Sequence, residues 1–319
     1  MAILKTGGPT RQMVDLQTGA LALAERLPSL VLEARRIATT VMFGIHGRRR
    51  PGPGETFWQF RQLEAGDARH MIDWRRSASS DRLFVREKEW EAAHTAWLWA
   101  DQSPSMVFQS ALGKATKQDR ALVLMLAIAE LLVEGGERVG VLGLTSPSAR
   151  RHPAEHIAER IFQEIRTDAP MASLPPEATL TRYSECILIG DFLEPIEDIA
   201  QRVGALAGQG VRGHLVQVLD PAEETLPYEG RVEFLDLEDG GALLAEWTEG
   251  IRGQYQERLE AHRAALRHLA DRLQWSLLVH RTDHPPEQAM LALHQHISEG
   301  LGRTSSVDTP SLQAAEAQL

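Results

Sequence analysis

Apolar residues along this chain switch period at regular intervals, and the switches mark out its elements. Short, nearly unbroken apolar runs stand at His94–Asp101, Arg138–Leu144, Cys186–Ile189, His214–Leu219 and Trp275–His280. Runs of about four to eight residues read as strands buried on both faces. Between them the apolar period lengthens to three and four. Asp119–Glu134 carries Leu122, Leu126, Ile128, Ala129 and Leu132 and stops at Gly135-Gly136. Pro153–Ile165 follows, then a segment with Ile196, Ile199, Val203 and Leu206 on one face and Gly208 beyond it. Glu249–Leu273 repeats the pattern through Ile251, Tyr255, Leu259, His262 and Leu266, and a last helix is expected after Pro285-Pro286. A hairpin is expected at Tyr228–Glu238. Buried strands alternating with helices imply an α/β fold, a mostly parallel sheet with helices on both faces.

The first part of the chain reads differently. Leu21–Ile45 is apolar at first sight, but Glu25, Arg26, Glu33, Arg35 and Arg36 interrupt it before the ~20 residues a membrane span needs. It reads as one or two amphipathic helices broken at Pro28. From His46 to Arg75, glycine, proline and arginine erase any period, so an ordered loop is expected there, turning strand-like from Arg82. The end of the chain, from Gly302, is small and polar and is expected to fray. These shifts divide the chain into a helical and irregular N-terminal extension (1–90), an α/β domain (91–300) and a disordered tail (301–319).

Composition narrows the function classes. A hydrophobic fraction of 43% over 319 residues supports a sizeable core. Forty-four acidic against 34 basic residues give a formal net charge of -10, which argues against a nucleic-acid partner held by a broad basic surface. Arg48-Arg49-Arg50 then reads as a solvated turn. The single cysteine, Cys186, sits in an apolar strand and cannot form an internal disulfide, which suits a reducing, cytoplasmic setting. The first residues lack the layout of a signal peptide, and no segment reads as inserting in a membrane.

In open α/β sheets, sites form beyond the carboxyl ends of strands. Two strands are read as ending in aspartate, Asp101 and Asp191. The first opens Asp101-Gln-Ser103-Pro-Ser105-Met106, just ahead of a helical region. A carboxylate and two hydroxyls at alternate positions of a tight turn can converge on a small hard cation, Mg2+ or Mn2+, that prefers oxygen ligands and keeps some waters. Because both hydroxyls are neutral, the ion would be weakly bound and left with surplus charge, ready to capture a carboxylate from another molecule. The same residues also read as a helix cap followed by turn residues.

This acid-Ser-Ser turn resembles the metal-ion-dependent adhesion site of von Willebrand factor A domains. The resemblance implies a Rossmann-type sheet, Asp191 as the distal aspartate acting through water, and a threonine on an intervening loop. Thr167 is the matching position, although Pro170, Pro175 and Pro176 depart from the helix that normally follows. Upstream, Gly52-x-Gly54-Glu55, Arg61 and Gly66-Asp67-x-Arg69-x-x-Ile72-Asp73-Trp74-Arg75 resemble the bacterial family called "domain of unknown function 58", and the likeness runs from about His46 to the end. That resemblance implies a von Willebrand A-like interaction module rather than an enzyme, acting as adaptor of a MoxR-type AAA+ ATPase on a client protein. Independently of any family, Asp67, Arg69, Asp73 and Arg75 are closely spaced opposite charges able to pin an irregular loop, with Trp74 as its anchor, or to meet a partner.

Other signals carry less. His152-Pro-Ala-Glu155-His156 spells an inverted zinc-protease pattern, but Pro153 at the first helical position puts His152 on the cap, away from His156. An aspartyl-phosphate mechanism would need a second acid where Ser103 stands. Gly113-Lys114 lacks the remainder of a phosphate loop. His294 and His296 face different ways on a helix, and Trp97 and Trp99 read as core. A metal-dependent hydrolase or phosphatase remains one alternative, without a clear general base at the strand ends, and a structural domain with a vestigial ion site is the other.

Overall fold

In the computed structural model, residues 9–46, 57–63, 72–78, 82–88, 94–165, 172–235 and 241–304 are described. Two compact units result, one of residues 1–44 with 94–319 and one of residues 45–93.

The larger unit holds a six-stranded sheet built from β3 (Thr95–Ala100), β4 (Arg138–Val141), β5 (Thr145–Ser148), β6 (Glu185–Gly190), β7 (Arg212–Leu219) and β10 (Ser276–Arg281). Their order is β10-β7-β6-β3-β4-β5, and every pairing is parallel except β4 with β5. Numbered within the sheet, that is the doubly wound order 3-2-1-4-5-6, with the winding reversing between β3 and β6. The apolar runs of the sequence are the central strands: all six residues of β6 are buried. β5 escaped the sequence reading because Thr-Ser-Pro-Ser has no apolar signature; it is an antiparallel edge strand, where polar residues and proline are tolerated.

Helix α3 (Lys117–Glu134) crosses the centre of the sheet, and fifteen of its eighteen residues are buried. It packs beside α4 (Pro153–Ile165) and α8 (Pro286–Thr304). On the opposite face, α5 (Ile196–Ala207) and α7 (Thr248–Leu273) close a core of Trp99, Cys186, Leu188, Leu215, Ile199, Val203, Leu266 and Trp275, with Trp97 packed at its border. Trp275 fits there because residue 213 is glycine; a Cβ at Gly213 would overlap the indole.

The expected break at Pro28 is absent. α1 (Pro9–His46) is one helix with Pro28 inside it. Its buried stripe, Leu23, Leu27, Leu30, Val31, Ala34, Ile37, Ala38 and Val41, extends to both sides of the proline. Burying such side chains at ~1.5 kcal/mol or more each outweighs the ~3 kcal/mol an interior proline costs. Ion pairs from Arg26 to Asp119 (2.5 Å), Arg35 to Glu130 (3.2 Å) and Glu155 (2.8 Å), and Arg36 to Glu287 (3.3 Å) fasten α1 onto α3, α4 and α8. The helix therefore belongs with the α/β body, and the division falls at 45–93 rather than at residue 90.

Between β7 and α7 lie a short helix, α6 (Pro221–Thr225), and an antiparallel hairpin of β8 (Val232–Leu235) and β9 (Ala242–Ala245). The hairpin sits later than the expected Tyr228–Glu238, because Tyr228 and Val232 both pack toward Phe234 and the second strand is Ala-Leu-Leu-Ala. α8 continues through Thr304, so the start of the expected tail is helical; residues 305–319 lie outside the described residues.

In the smaller unit β1 (Phe57–Gln62) pairs antiparallel with β2 (Phe84–Lys88) across a register shift. β1 lies inside the segment expected to be loop: Phe-Trp-Gln-Phe is apolar on alternation, and the neighbouring glycines masked it. Asp73 accepts from the Arg76 N–H at 2.9 Å and caps the single turn α2 (Trp74–Ser77), so its carboxylate serves a helix start rather than the expected pair with Arg75. Trp74 is 63% exposed and Arg75 is exposed, so Trp74 does not anchor this loop. Asp67 and Arg69 lie outside the described residues. Among the described residues, no helix is long and apolar enough to cross a membrane.

Candidate metal centre

In doubly wound sheets, sites form at the carboxyl ends of the strands where the winding reverses, which here is between β3 and β6. Asp101 directly follows β3, and Asp191 directly follows β6. Gly190 lets them approach: a Cβ there would lie 3.1 Å from Asp101 Cβ and 3.4 Å from its Oδ2. Past Asp191 the chain turns sharply at Phe192, whose φ of +49° is left-handed and unusual for a bulky residue. That turn is held from below, where Gln217 Nε2 donates to the Asp191 carbonyl (2.9 Å), and from α7, where His262 Nε2 meets the Phe192 carbonyl (2.6 Å).

The acid-Ser-Ser turn forms as read. Asp101 Oδ1 accepts from the Ser103 N–H (2.8 Å), and residues Pro104–Val107 make one 3-10 turn. The two hydroxyls, Ser103 Oγ and Ser105 Oγ, lie 3.0 Å apart, and Ser105 Oγ donates to Asp191 Oδ2 at 3.2 Å. Asp101, Ser103, Ser105 and Asp191 therefore converge as expected. Thr167 lies outside the described residues.

Two further residues belong to the cluster. Glu194 sits three residues beyond Asp191, and one ligand atom each from Asp101, Asp191 and Glu194 lie within 4.8 Å of one another. Lys117, the first residue of α3, is fully buried and donates to Asp191 Oδ2 (2.8 Å) and Glu223 Oε1 (2.6 Å). Neither was singled out from the sequence. Glu194 was readable as an acid just past a strand end, whereas Lys117 looks like any polar helix start until the sheet brings Glu223 to it.

The two strand-end carboxyls differ in charge state. Burial, with Asp191 and Glu194 nearby, holds the Asp101 carboxyl well above the usual carboxylate range, against the Ser103 hydrogen bonds that favour its charge. Burial also works against charge on Asp191, but the Lys117 ammonium outweighs it and holds that carboxyl below its ordinary value. Burial opposes charge on Lys117 as well, and Asp191 and Glu223 override it upward. Asp101 Oδ2 is buried and has no hydrogen-bond partner among the described residues. An oxygen in that position calls for a proton or a cation. The donor set, carboxylates and hydroxyls only, fits a hard divalent ion of the Mg2+ or Mn2+ kind and does not fit zinc, which prefers nitrogen and sulfur.

A third strand end also carries an aspartate, which the sequence reading passed over. Asp220 follows β7 and is fully buried. It accepts from the Ser110 N–H (3.0 Å), the Ser110 hydroxyl and the Ala222 N–H (2.9 Å), and it begins α6 through a capping box with Glu223. The inverted zinc-protease pattern stays apart from all this: His152, at φ +59°, precedes α4, which starts at Pro153.

Uncharacterised proteins of Mycobacterium tuberculosis (Rv1480) and Mycobacterium bovis (Mb1516) are each 28% identical to the chain over 258 residues, 76% of this chain and 79% of theirs. Among solved structures, the protein BatB of Bacteroides thetaiotaomicron is similar at 18% identity and a TM-score of 0.35, covering 66% of this chain and all of that one. An aerotolerance-related membrane protein of Bacteroides fragilis is similar at 16% identity and a TM-score of 0.36, covering 65% and 100%. The von Willebrand A domain of SpRpn10 is similar at 9% identity and a TM-score of 0.34, covering 63% and 95%. The family model for the protein of unknown function DUF58 matches residues 59–265, and the chain belongs to that family.

Proposed function

We propose that this protein is a metal-ion-dependent interaction module that grips a partner through an ion held at the carboxyl ends of β3 and β6. The observation that carries the reading is the orphaned, buried Asp101 Oδ2, on a carboxyl that clusters with those of Asp191 and Glu194. Asp101, Ser103 and Ser105 would hold the ion, Asp191 would orient it through water, and Glu194 offers a further oxygen. The ion would supply a positive centre for a carboxylate from another molecule. Three exposed apolar side chains on loops that follow β3 and β6, Val107, Leu112 and Leu193, support contact with a protein surface rather than a small polar substrate. The partner we propose is a MoxR-type AAA+ ATPase acting on a client, which rests on the family resemblance alone.

A hydrolytic reading is disfavoured by the same geometry. Lys117, the buried amine beside the site, cannot serve as its base, because it is locked between two carboxylates and held protonated. Titration calorimetry with Mg2+ and Mn2+ tests the proposal: the intact protein binds, and Asp101→Ala loses at least ~100-fold in affinity, equivalent to ~3 kcal/mol. Co-purification with the ATPase should need the ion and fail for Asp101→Ala. Equal ion binding by the variant would sink the site.

A further inference from the structure

The position of Lys117 deepens that reading and rests on it. Its side chain fills fully buried space at the start of α3, where a methionine would fit without the desolvation an ammonium suffers. Its charge has a specific address. One contact is Asp191 Oδ2, the same oxygen that receives Ser105 Oγ, and the other is Glu223 Oε1. Glu223 is itself fixed, because its Oε2 accepts from the Asp220 N–H at 2.9 Å and it closes the capping box of α6. The ammonium is thus pinned between an ion-site carboxylate on one side and a structural carboxylate on the other.

We infer that Lys117 sets the affinity of the ion site. By neutralising Asp191 it repels an incoming divalent ion, while Glu223 draws part of that positive charge away and moderates the repulsion. Lys117 touches the ion-site carboxylate directly and Glu223 lies one group farther out, so the lysine dominates. The result is a site tuned to bind its ion weakly until a partner carboxylate adds the missing negative charge. Lys117 acts here as a positioning and charge-setting residue and does not contact the ion.

The test uses the full chain with Mn2+ as probe, free Mn2+ being read by electron paramagnetic resonance. Glu223→Gln leaves the whole ammonium charge on Asp191 and should weaken binding several-fold. The double variant Lys117→Met with Glu223→Gln removes both charges and should bind about tenfold tighter than the unmodified protein. Structural damage would lower both affinities, so opposite signs are the signature. Should the double variant not fold, Lys117→Gln with Glu223→Gln, which keeps polar groups at both positions, takes its place with the same expected tightening, and a loss of Mn2+ affinity there overturns the proposal. Unchanged Mn2+ affinity in both variants, with loss in Asp101→Ala, overturns the role of Lys117 and leaves the ion site standing. No binding by any form overturns both.

Discussion

Asp101 and Asp220 make an instructive pair. Each directly follows a parallel strand of one sheet, at the same end, and each is fully buried. Around Asp220 the structure closes every option: Ser110 donates twice, Ala222 donates once, and the Thr282 hydroxyl stands 3.5 Å away. Around Asp101 it does the reverse. One oxygen receives the Ser103 N–H, the other receives nothing among the described residues, and acids stand nearby. A buried carboxylate with its full complement of donors organises a loop, whereas one left open beside other carboxylates stores a demand for positive charge. The two residues look alike in sequence, and position relative to the winding reversal separates them.

The sharpest way to break that contrast is a pair of truncations. Asp220→Ala strands the Ser110 and Ala222 donors and removes the cap of α6, which should cost ~3 kcal/mol of stability. Asp101→Ala, in buffer free of divalent ions, should stay within ~1 kcal/mol of the unmodified protein, since losing the Ser103 contact is offset by relief of crowding among like charges. Urea unfolding monitored by circular dichroism measures both. Equal losses would mean that Asp101 is as structural as Asp220.

How much of this was legible in the sequence depends on how local each signal was. The central strands and α3, α4, α5 and α7 were legible because burial on both faces writes unbroken apolar runs and threefold-fourfold periods. The acid-Ser-Ser turn was legible because its geometry is local, Asp101 bonding to the N–H of Ser103 two residues on. Lys117 was not, since its meaning comes from Asp191 and Glu223, respectively 74 and 106 residues away. α1 misled the reading for the opposite reason: Pro28 is a strong local signal, and the packing that overrides it is tertiary. In the smaller unit, the charged signature around Asp73 suggested ion pairing, but the local need of a helix start claimed the carboxylate first.

Two glycines sharpen the contrast at finer grain. A Cβ on Gly113 would overlap Asp220 Oδ2 and lie 2.9 Å from Thr282 Oγ1, so Gly113→Ala should cost ~2 kcal/mol in unfolding while leaving Mn2+ affinity within about twofold. Gly190→Ala presses on Asp101 at 3.1–3.4 Å and should do the reverse, costing ~1 kcal/mol of stability but weakening Mn2+ several-fold. Parallel effects on both readouts would show that the two loops are one mechanical unit.

The smallest effect concerns a buried group that meets the same problem by another route. His280, in β10, is buried, and its Nε2 has no partner among the described residues. Where Asp101 needs a proton or a cation to be neutralised, the imidazole is neutral once it has lost its proton, and burial, with Arg120 and His284 nearby and Asp283 opposing them, pushes its pKa down to about 3. Below the ordinary histidine value of 6.5 the unfolded chain takes up a proton that the folded chain refuses. This part of the stability is therefore complete above pH 6.5 and is lost as pH falls toward 3, by ~1.5 kcal/mol between pH 8 and pH 5.5. In His280→Leu that slope should disappear, which urea titrations of both proteins at the two pH values would reveal. An unchanged slope would assign the acid sensitivity to other groups and remove His280 as the neutral counterpart of Asp101.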